Sequence, residues 1–113
     1  MEPEKIIRGK RVLIVDDEEA VRNLLRRTLE DIGYNVLTAA NGEEALFQME
    51  QQEVEVVFLD IKMPGKSGVE VLPEIKGGYP DTAVIMATAV TDINIAIQCM
   101  KQGADDYLSK PFN

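Results

Sequence analysis

The sequence predicts an α/β fold in which helices cover both faces of a five-stranded parallel sheet, a doubly wound arrangement. Short apolar runs of strand length alternate regularly with longer stretches whose apolar residues recur at helical spacing. Nearly continuous apolar runs are typical of strands that are buried on both faces. Strict alternation implies right-handed crossover connections, which make the strands parallel. The length of 113 residues suits one domain.

The first two strand–helix pairs are predicted from periodicity and from residues that begin or end helices. They are a strand at 11–15, a helix at 18–32, a strand at 34–39 and a helix at 41–52. The apolar stripe of the first helix is formed by Val21, Leu24, Leu25, Thr28, Leu29 and Ile32. Gly33 ends that helix because glycine readily adopts the left-handed conformation of a C-cap. Asn41 is a favoured N-cap for the next helix.

The second half of the chain continues the alternation. It contains a strand at 54–59, a helix at 67–76, a strand at 82–88, a helix at 91–102 and a strand at 105–109. Pro73 should strain or bend the third helix because it has no backbone N–H to donate. Glycines and a proline at 77–80 predict a break after it. Ile93, Ile97 and Met100 mark the predicted apolar side of the fourth helix.

Composition excludes several classes of function. A net charge of −8 and an aromatic content of 5% argue against direct nucleic acid binding, which needs basic and stacking surfaces. The chain has no histidine, so histidine-based metal sites and catalytic triads are excluded. No apolar run approaches the ~20 residues needed to span a membrane, and the first ten residues lack the apolar core of a signal peptide. We therefore expect a cytoplasmic protein without a membrane partner.

Four predicted strands lead into residues that can handle phosphate or metal. These residues are Asp16 and Asp17 after the first strand, Asp60 after the third, Thr88 on the fourth and Lys110 after the fifth. The carboxyl ends of parallel strands meet at one edge of a sheet, so these side chains should converge. Clustered carboxylates repel one another unless a cation lies among them, and hard oxygen ligands beside phosphate favour Mg²⁺. An ionised Asp60 could attack phosphorus.

Each of these residues also has a simpler explanation. Asp16 and Glu19 have the spacing of a capping box before the first helix, and Asp60 could open a turn. Thr88 suits a strand, and a lysine such as Lys110 usually lies at the surface. None of these explanations accounts for the joint placement at four strand ends.

An ordered set of residues gives the chain a resemblance to a known family. The set comprises Val15, Asp16, Asp17, Asp60, Met63, Pro64, Gly68, Thr88, Ala89, Lys110, Pro111 and Phe112. With these residues the chain resembles the receiver domain of a two-component response regulator. The resemblance implies a flavodoxin-like three-layer sandwich of the CheY-like type. We accordingly expect a receiver domain at 10–113 and a short N-terminal extension at 1–9.

The resemblance implies a phosphorylation-activated signalling switch rather than an enzyme with turnover. Asp60 would accept a phosphoryl group from a histidine kinase or a histidine phosphotransfer protein. The implied Mg²⁺ ligands are Asp16 (through water), Asp17, Asp60 and the main-chain carbonyl of Lys62. The implied phosphoryl ligands are Thr88, the N–H of Ala89 and Lys110. Thr88 and Tyr107 would then move together as a switch, and the Lys110–Pro111 bond would be cis.

Two features depart from the family pattern. The family places a fifth helix directly after its Lys-Pro-Phe motif, whereas this chain stops at Asn113. We therefore expect part of Val12, Ile14 and their neighbours to be exposed. We also expect either a fragment of a longer regulator or a face that a second copy or another chain covers. Lys62 and Val90 occupy variable positions beside the site, where they could tune the lifetime of the phosphate.

Two other functions are compatible with parts of the pattern. A Mg²⁺-dependent phosphohydrolase of the haloacid dehalogenase type also uses an aspartate nucleophile at a strand end. That family needs a second aspartate two residues later, where this chain has Lys62. A pseudo-receiver, which binds partners without accepting phosphate, is favoured by loss of a motif residue, and here all of them are present.

Overall fold

A computed structural model of the chain describes residues 10–110. The strands are β1 (Arg11–Val15), β2 (Asn35–Ala39), β3 (Val56–Asp60), β4 (Ala83–Ala89) and β5 (Asp106–Lys110). The α-helices are α1 (Glu19–Ile32), α2 (Gly42–Gln51), α3 (Gly68–Gly78) and α4 (Ile93–Lys101), and a 3₁₀ turn at Val90–Asp92 precedes α4. The predicted extension at 1–9 and the Lys110–Pro111 bond lie outside the described residues.

The five strands form one parallel sheet in the order β2-β1-β3-β4-β5. The predicted doubly wound α/β fold is confirmed, and residues 10–110 contain the four predicted α-helices. The order reverses beside β1, because the chain crosses to β2 on one side and then to β3 on the other. Ligands of open α/β sheets bind at such a point, beyond the carboxyl ends of the strands.

Helix α3 is longer than predicted, and Pro73 does not end it. The helix runs to Gly78, so the predicted break at 77–80 begins only after that residue. Ser67 and Glu70 form a capping box at its start. Its inward face is fully buried, through Val71, Leu72 and Ile75. This burial stabilises the helix, and Pro73 lies on its exposed side.

The predicted apolar side of α4 is only partly right, because Met100 packs against the core but Ile97 does not. The segment expected at 91–102 begins with a 3₁₀ turn, and the α-helix starts at Ile93. Its fully buried residues are Ala96 and Cys99, whereas Ile97 is 43% exposed. The two fully buried side chains of α4 are small, so the spacing of its larger apolar residues did not indicate them.

The exposure predicted for Val12 and Ile14 is also wrong. Both are buried, with 2% and 0% of their surface exposed. The reason is that β1 is an interior strand between β2 and β3, and α1 packs against β1 and β2. On the face of the sheet that α1 covers, the exposed large apolar residues in the described part of the chain are Leu24 and Ile32 of α1 and Leu108 of β5.

Within residues 10–110, none of the α-helices combines the length and the apolar character that a membrane span requires.

Candidate functional site

A cavity of about 200 Å³ opens at the carboxyl edge of the sheet. Its lining residues are Glu18, Asp60, Ile61, Lys62, Thr88, Ala89, Asp92 and Lys110. Asp60 is the last residue of β3, Thr88 and Ala89 end β4, and Lys110 ends β5. The parallel register therefore brings three strand ends to one pocket, as the sequence predicted.

Lys110 joins the two buried aspartates of the site. Its Nζ lies 2.8 Å from Asp16 Oδ2 and 3.3 Å from Asp60 Oδ1. Burial lowers the pKa of Lys110, but the hydrogen bond to Asp16 and the negative charges of both aspartates outweigh it, and the net pKa is raised. The ammonium therefore stays charged near neutral pH. The alternative of an ordinary surface lysine is wrong, because the side chain is only 19% exposed.

Asp16 is held from three directions. Its Oδ1 accepts a hydrogen bond from Glu18 N–H at 2.9 Å, and its main-chain oxygen accepts one from Arg22 Nη1 at 2.8 Å. Its Oδ2 is the partner of Lys110. The capping-box alternative with Glu19 is wrong, since the N-cap of α1 is Glu18 and makes no side-chain capping bond. With 1% of its surface exposed, Asp16 is fixed.

Asp60 is buried beside another negative charge. It is 5% exposed. Burial first, and then the negative charge of Asp16, raise the pKa of Asp60 from 3.8 to about 6, although Lys110 opposes this. At pH 7 the carboxylate form still exceeds the acid by about tenfold. Asp60 is thus mostly ionised at neutral pH, in a pocket where Lys110 only partly offsets burial and the neighbouring negative charge.

The acids after β1 form a cluster that fits a cation. Carboxylate oxygens of Asp16, Asp17 and Glu18 lie within 4.8 Å of one another. Asp17 also raises the pKa of Asp60 through its charge, so the cluster acts on the phosphoacceptor candidate. An ion such as Mg²⁺, which prefers carboxylate and water oxygens, suits this donor set. Lys62, whose main-chain carbonyl was predicted as a metal ligand, lines the cavity beside Asp60.

Thr88 lines the pocket, and its hydroxyl makes a hydrogen bond to the main chain. It is 1% exposed, and its Oγ1 donates to the carbonyl of Ala89 at 3.1 Å. In the register of β4 and β5, Tyr107 lies beside Met86. Met86 is two residues before Thr88 on β4, so Tyr107 and Thr88 lie on the same face of the sheet. Tyr107 is partly buried against the core.

Gly68 lets α3 begin directly against the phosphoacceptor candidate. Its N–H donates to the carbonyl of Ile61 at 2.8 Å. A Cβ at this position would lie 2.1 Å from the main-chain oxygen of Asp60, which is closer than atoms can approach. Only glycine permits this contact, which explains its place in the sequence pattern.

Two acids of the pocket were not predicted from the sequence. Asp92 is 9% exposed, and its Oδ1 lies 3.3 Å from Nζ of Lys62. Glu18, assigned to a helix, both lines the pocket and joins the acidic cluster. The signal for Asp92 was its position four residues after Thr88, close to the carboxyl end of β4.

Comparisons with known proteins agree on one family. The family model described as "Response regulator receiver domain" matches residues 12–113. A protein of Guillardia theta named "Probable transcriptional regulator ycf27" is 46% identical over 92% of this chain and 41% of its own length. A "Cyclic di-GMP phosphodiesterase" of Thermotoga maritima is 40% identical over 90% of this chain and 27% of its own.

A solved structure gives the same result. The receiver domain of NtrX from Brucella abortus is 35% identical and superposes with a TM-score of 0.87, covering 90% of this chain and 87% of that one. The chain spans less than half the length of the two curated relatives.

Proposed function

The chain belongs to the response regulator receiver domain family, and from this membership we propose that it is a phosphorylation-controlled switch with Asp60 as phosphoacceptor. The observation that carries the proposal is the bridge from Lys110 to two buried aspartates. One of these aspartates is free to react because the other is tied to the backbone.

The proposed reaction transfers a phosphoryl group from a partner's phosphohistidine. A carboxylate oxygen of Asp60 attacks phosphorus, a P–O bond forms as the P–N bond breaks, and the imidazole leaves with the electron pair and takes up a proton. The nucleophile needs no general base, because Asp60 is ionised at neutral pH. Such transfers depend chiefly on alignment and on charge stabilisation.

The charge that develops on the phosphoryl oxygens has three proposed partners. The ammonium of Lys110 is already 3.3 Å from Asp60 Oδ1. The Thr88 hydroxyl must leave the carbonyl of Ala89 to reach an oxygen, and this rearrangement is the proposed first movement of the switch. The N–H of Ala89, at the pocket wall, is the third donor. Tyr107 would follow Thr88, so β5 and α4 would present a changed surface.

Mg²⁺ is the proposed cofactor, held by Asp17, Asp60 and the carbonyl of Lys62, with Asp16 contributing through water. It would neutralise the acids and the incoming phosphoryl charge. Burial and the charge of Asp16 already disfavour the carboxylate of Asp60, and a cation would relieve both effects.

The proposed role is that of a switch domain at 10–113 and not of a turnover enzyme. The partners would be a histidine kinase or a histidine phosphotransfer protein. The relative named as a phosphodiesterase is far longer than this chain, so that activity is not transferred here. Exposed Leu24, Ile32 and Leu108 favour a further contact on the α1 side of the sheet, with a second copy or another chain.

Beryllofluoride with Mg²⁺ tests the proposal, because it forms a stable mimic of an aspartyl-phosphate. We expect ¹⁹F NMR to show one bound species, absent in Asp60→Asn and retained in the control Asp81→Asn at the opposite edge of the sheet. Absence of the species in the wild type would favour a pseudo-receiver. Continuous phosphate release from acetyl phosphate, with no lasting adduct, would favour the hydrolase.

A further inference from the structure

Asp92 occupies the N-cap position of α4 but does not cap the helix. Aspartate is among the best capping residues, because its carboxylate accepts hydrogen bonds from the first free N–H groups. Here the carboxylate makes no such bond. Its partner is the ammonium of Lys62, at 3.3 Å across the mouth of the pocket.

Two other helices of the same chain show the contrast. Asn41 accepts from Glu44 N–H at 2.9 Å, and Ser67 accepts from Glu70 N–H at 3.3 Å. Both have extended backbone at the cap, with ψ of 175° and 164°. Asp92 has ψ of 18° and belongs to the 3₁₀ turn Val90–Asp92. Capping by Asp92 would therefore require the turn to open.

The turn connects the site directly to α4. It follows Thr88 and Ala89 without a gap, and Asp92 and Lys62 both line the cavity beside Asp60. The side chain of Asp92 is 11% exposed, whereas that of Lys62 is 72% exposed and free to turn. An exposed lysine is a weak partner, similar in strength to a helix cap, so a modest change in local charge can decide between them.

A phosphoryl group on Asp60 makes that change in the required direction. It adds negative charge in the cavity, which attracts Lys62 and repels Asp92. The N-terminus of α4 attracts a carboxylate through the helix dipole and its free N–H groups. Both effects move Asp92 from the lysine to the helix.

We propose that Asp92 is a positioning residue with two alternative partners, Lys62 in the unmodified protein and the N-terminus of α4 after phosphorylation. This inference rests on the proposed function, since it takes Asp60 as the phosphoacceptor. It gives the site a charge-driven connection to α4 that does not pass through Thr88 and Tyr107.

Amide hydrogen exchange at Asn94 and Ile95, the second and third residues of α4, tests the inference. In the wild type we expect Mg²⁺ and beryllofluoride to slow this exchange severalfold. Lys62→Met and Asp92→Asn should show the slowed exchange even without Mg²⁺ and beryllofluoride. Lys62→Met removes the lysine partner, so the Asp92 carboxylate can cap α4. Asp92→Asn keeps a side chain that can cap the helix but has no charge to hold it at Lys62. Asp92→Ala should show fast exchange in both conditions. Lys66→Met, which breaks the surface pair with Glu74 at 2.8 Å, should match the wild type.

The outcomes separate this inference from the proposed function. If unmodified Lys62→Met and Asp92→Asn exchange like the wild type, the two-partner role of Asp92 is wrong, whether or not beryllofluoride binds. If beryllofluoride fails to bind the wild type, the proposed function is wrong, while the unmodified variants still decide the partner of Asp92. Slow exchange in unmodified Asp92→Ala would also overturn the inference.

Discussion

Asp60 shows how a reactive residue can be costly to the fold that holds it. It is buried near the charge of Asp16, and its pKa of about 6 lies well above its ordinary 3.8. The folded protein thus binds a proton more tightly than the unfolded chain. Ionised Asp60 therefore lowers the stability of the metal-free protein, and this loss develops as pH rises from about 4 through 6.

Asp60→Asn should stabilise the metal-free protein. At pH 7 we expect the free energy of unfolding to rise by up to about 3 kcal/mol, and at pH 4 the gain should nearly vanish because Asp60 is then mostly protonated. Urea unfolding of both proteins across this pH range measures the difference. A gain that is constant with pH, or no gain, would show that Asp60 is not the strained acid.

Lys110→Met should have the opposite effect. The substitution leaves Asp16 and Asp60 buried without their shared cation, so the pKa of Asp60 should rise further. We expect a loss of roughly 2 kcal/mol in unfolding free energy at pH 7, below the loss for fully buried pairs because the lysine is partly exposed. Lys101→Met on the exposed side of α4 is the matched control. Equal stability of the two variants would exclude a structural role for the bridge.

The sequence predicted the strand-end residues of the site, but it did not predict every residue that lines the pocket outside the strands. Asp16, Asp60, Thr88 and Lys110 each end an apolar run, and parallel topology brings such ends together. Asp92 was missed because its contact with Lys62 depends on the 3₁₀ turn before α4, and hydrophobic periodicity does not detect such a turn.

Helix α3 is positioned by the absence of one side chain. Its first residue, Gly68, lies against the main chain of Asp60, and its apolar face fixes the rest of the helix in the core. The sequence predicted that the helix ends at residue 76, because Gly77 and Gly78 favour a break there. Burial of Val71, Leu72 and Ile75 overrides those local preferences.

Gly68→Ala should disturb the site, whereas Gly77→Ala should not. Alanine at 68 would place its Cβ 2.1 Å from the Asp60 oxygen, so α3 and β3 must separate. We expect a loss of at least about 2 kcal/mol in stability and weaker beryllofluoride binding. Gly77 lies in the same helix with no neighbouring atom within 4 Å, and alanine there should add about 0.5 kcal/mol. If both variants bind beryllofluoride like the wild type, the close approach has no functional value.

The arrangement of the strands was predictable from the sequence, but the burial of β1 was not. Right-handed crossovers on both sides of β1 were predictable from the alternation of elements, and they gave the edge on which the site lies. The burial of Val12 and Ile14 was not predicted, because it depends on how α1 lies across β1 and β2. The position of a helix on the sheet does not follow from the periodicity of its sequence.

Mg²⁺ should stabilise the folded domain through the acidic cluster. A ligand at ten times its Kd adds about 1.4 kcal/mol, which corresponds to a rise of roughly 5–10 °C in Tm for a domain of this size. Asp17→Asn should remove most of this rise, since Asp17 is an exposed member of the cluster. Calorimetry with and without Mg²⁺ measures it, and an equal rise in the variant would place the ion elsewhere.

Mass spectrometry after incubation with acetyl phosphate and Mg²⁺ addresses the proposed phosphoacceptor most directly. The account predicts that the intact protein gains the mass of one phosphoryl group, that peptide mapping places it on Asp60, and that Asp60→Asn gains none. Phosphate on another residue, or equal modification of the variant, would contradict the account.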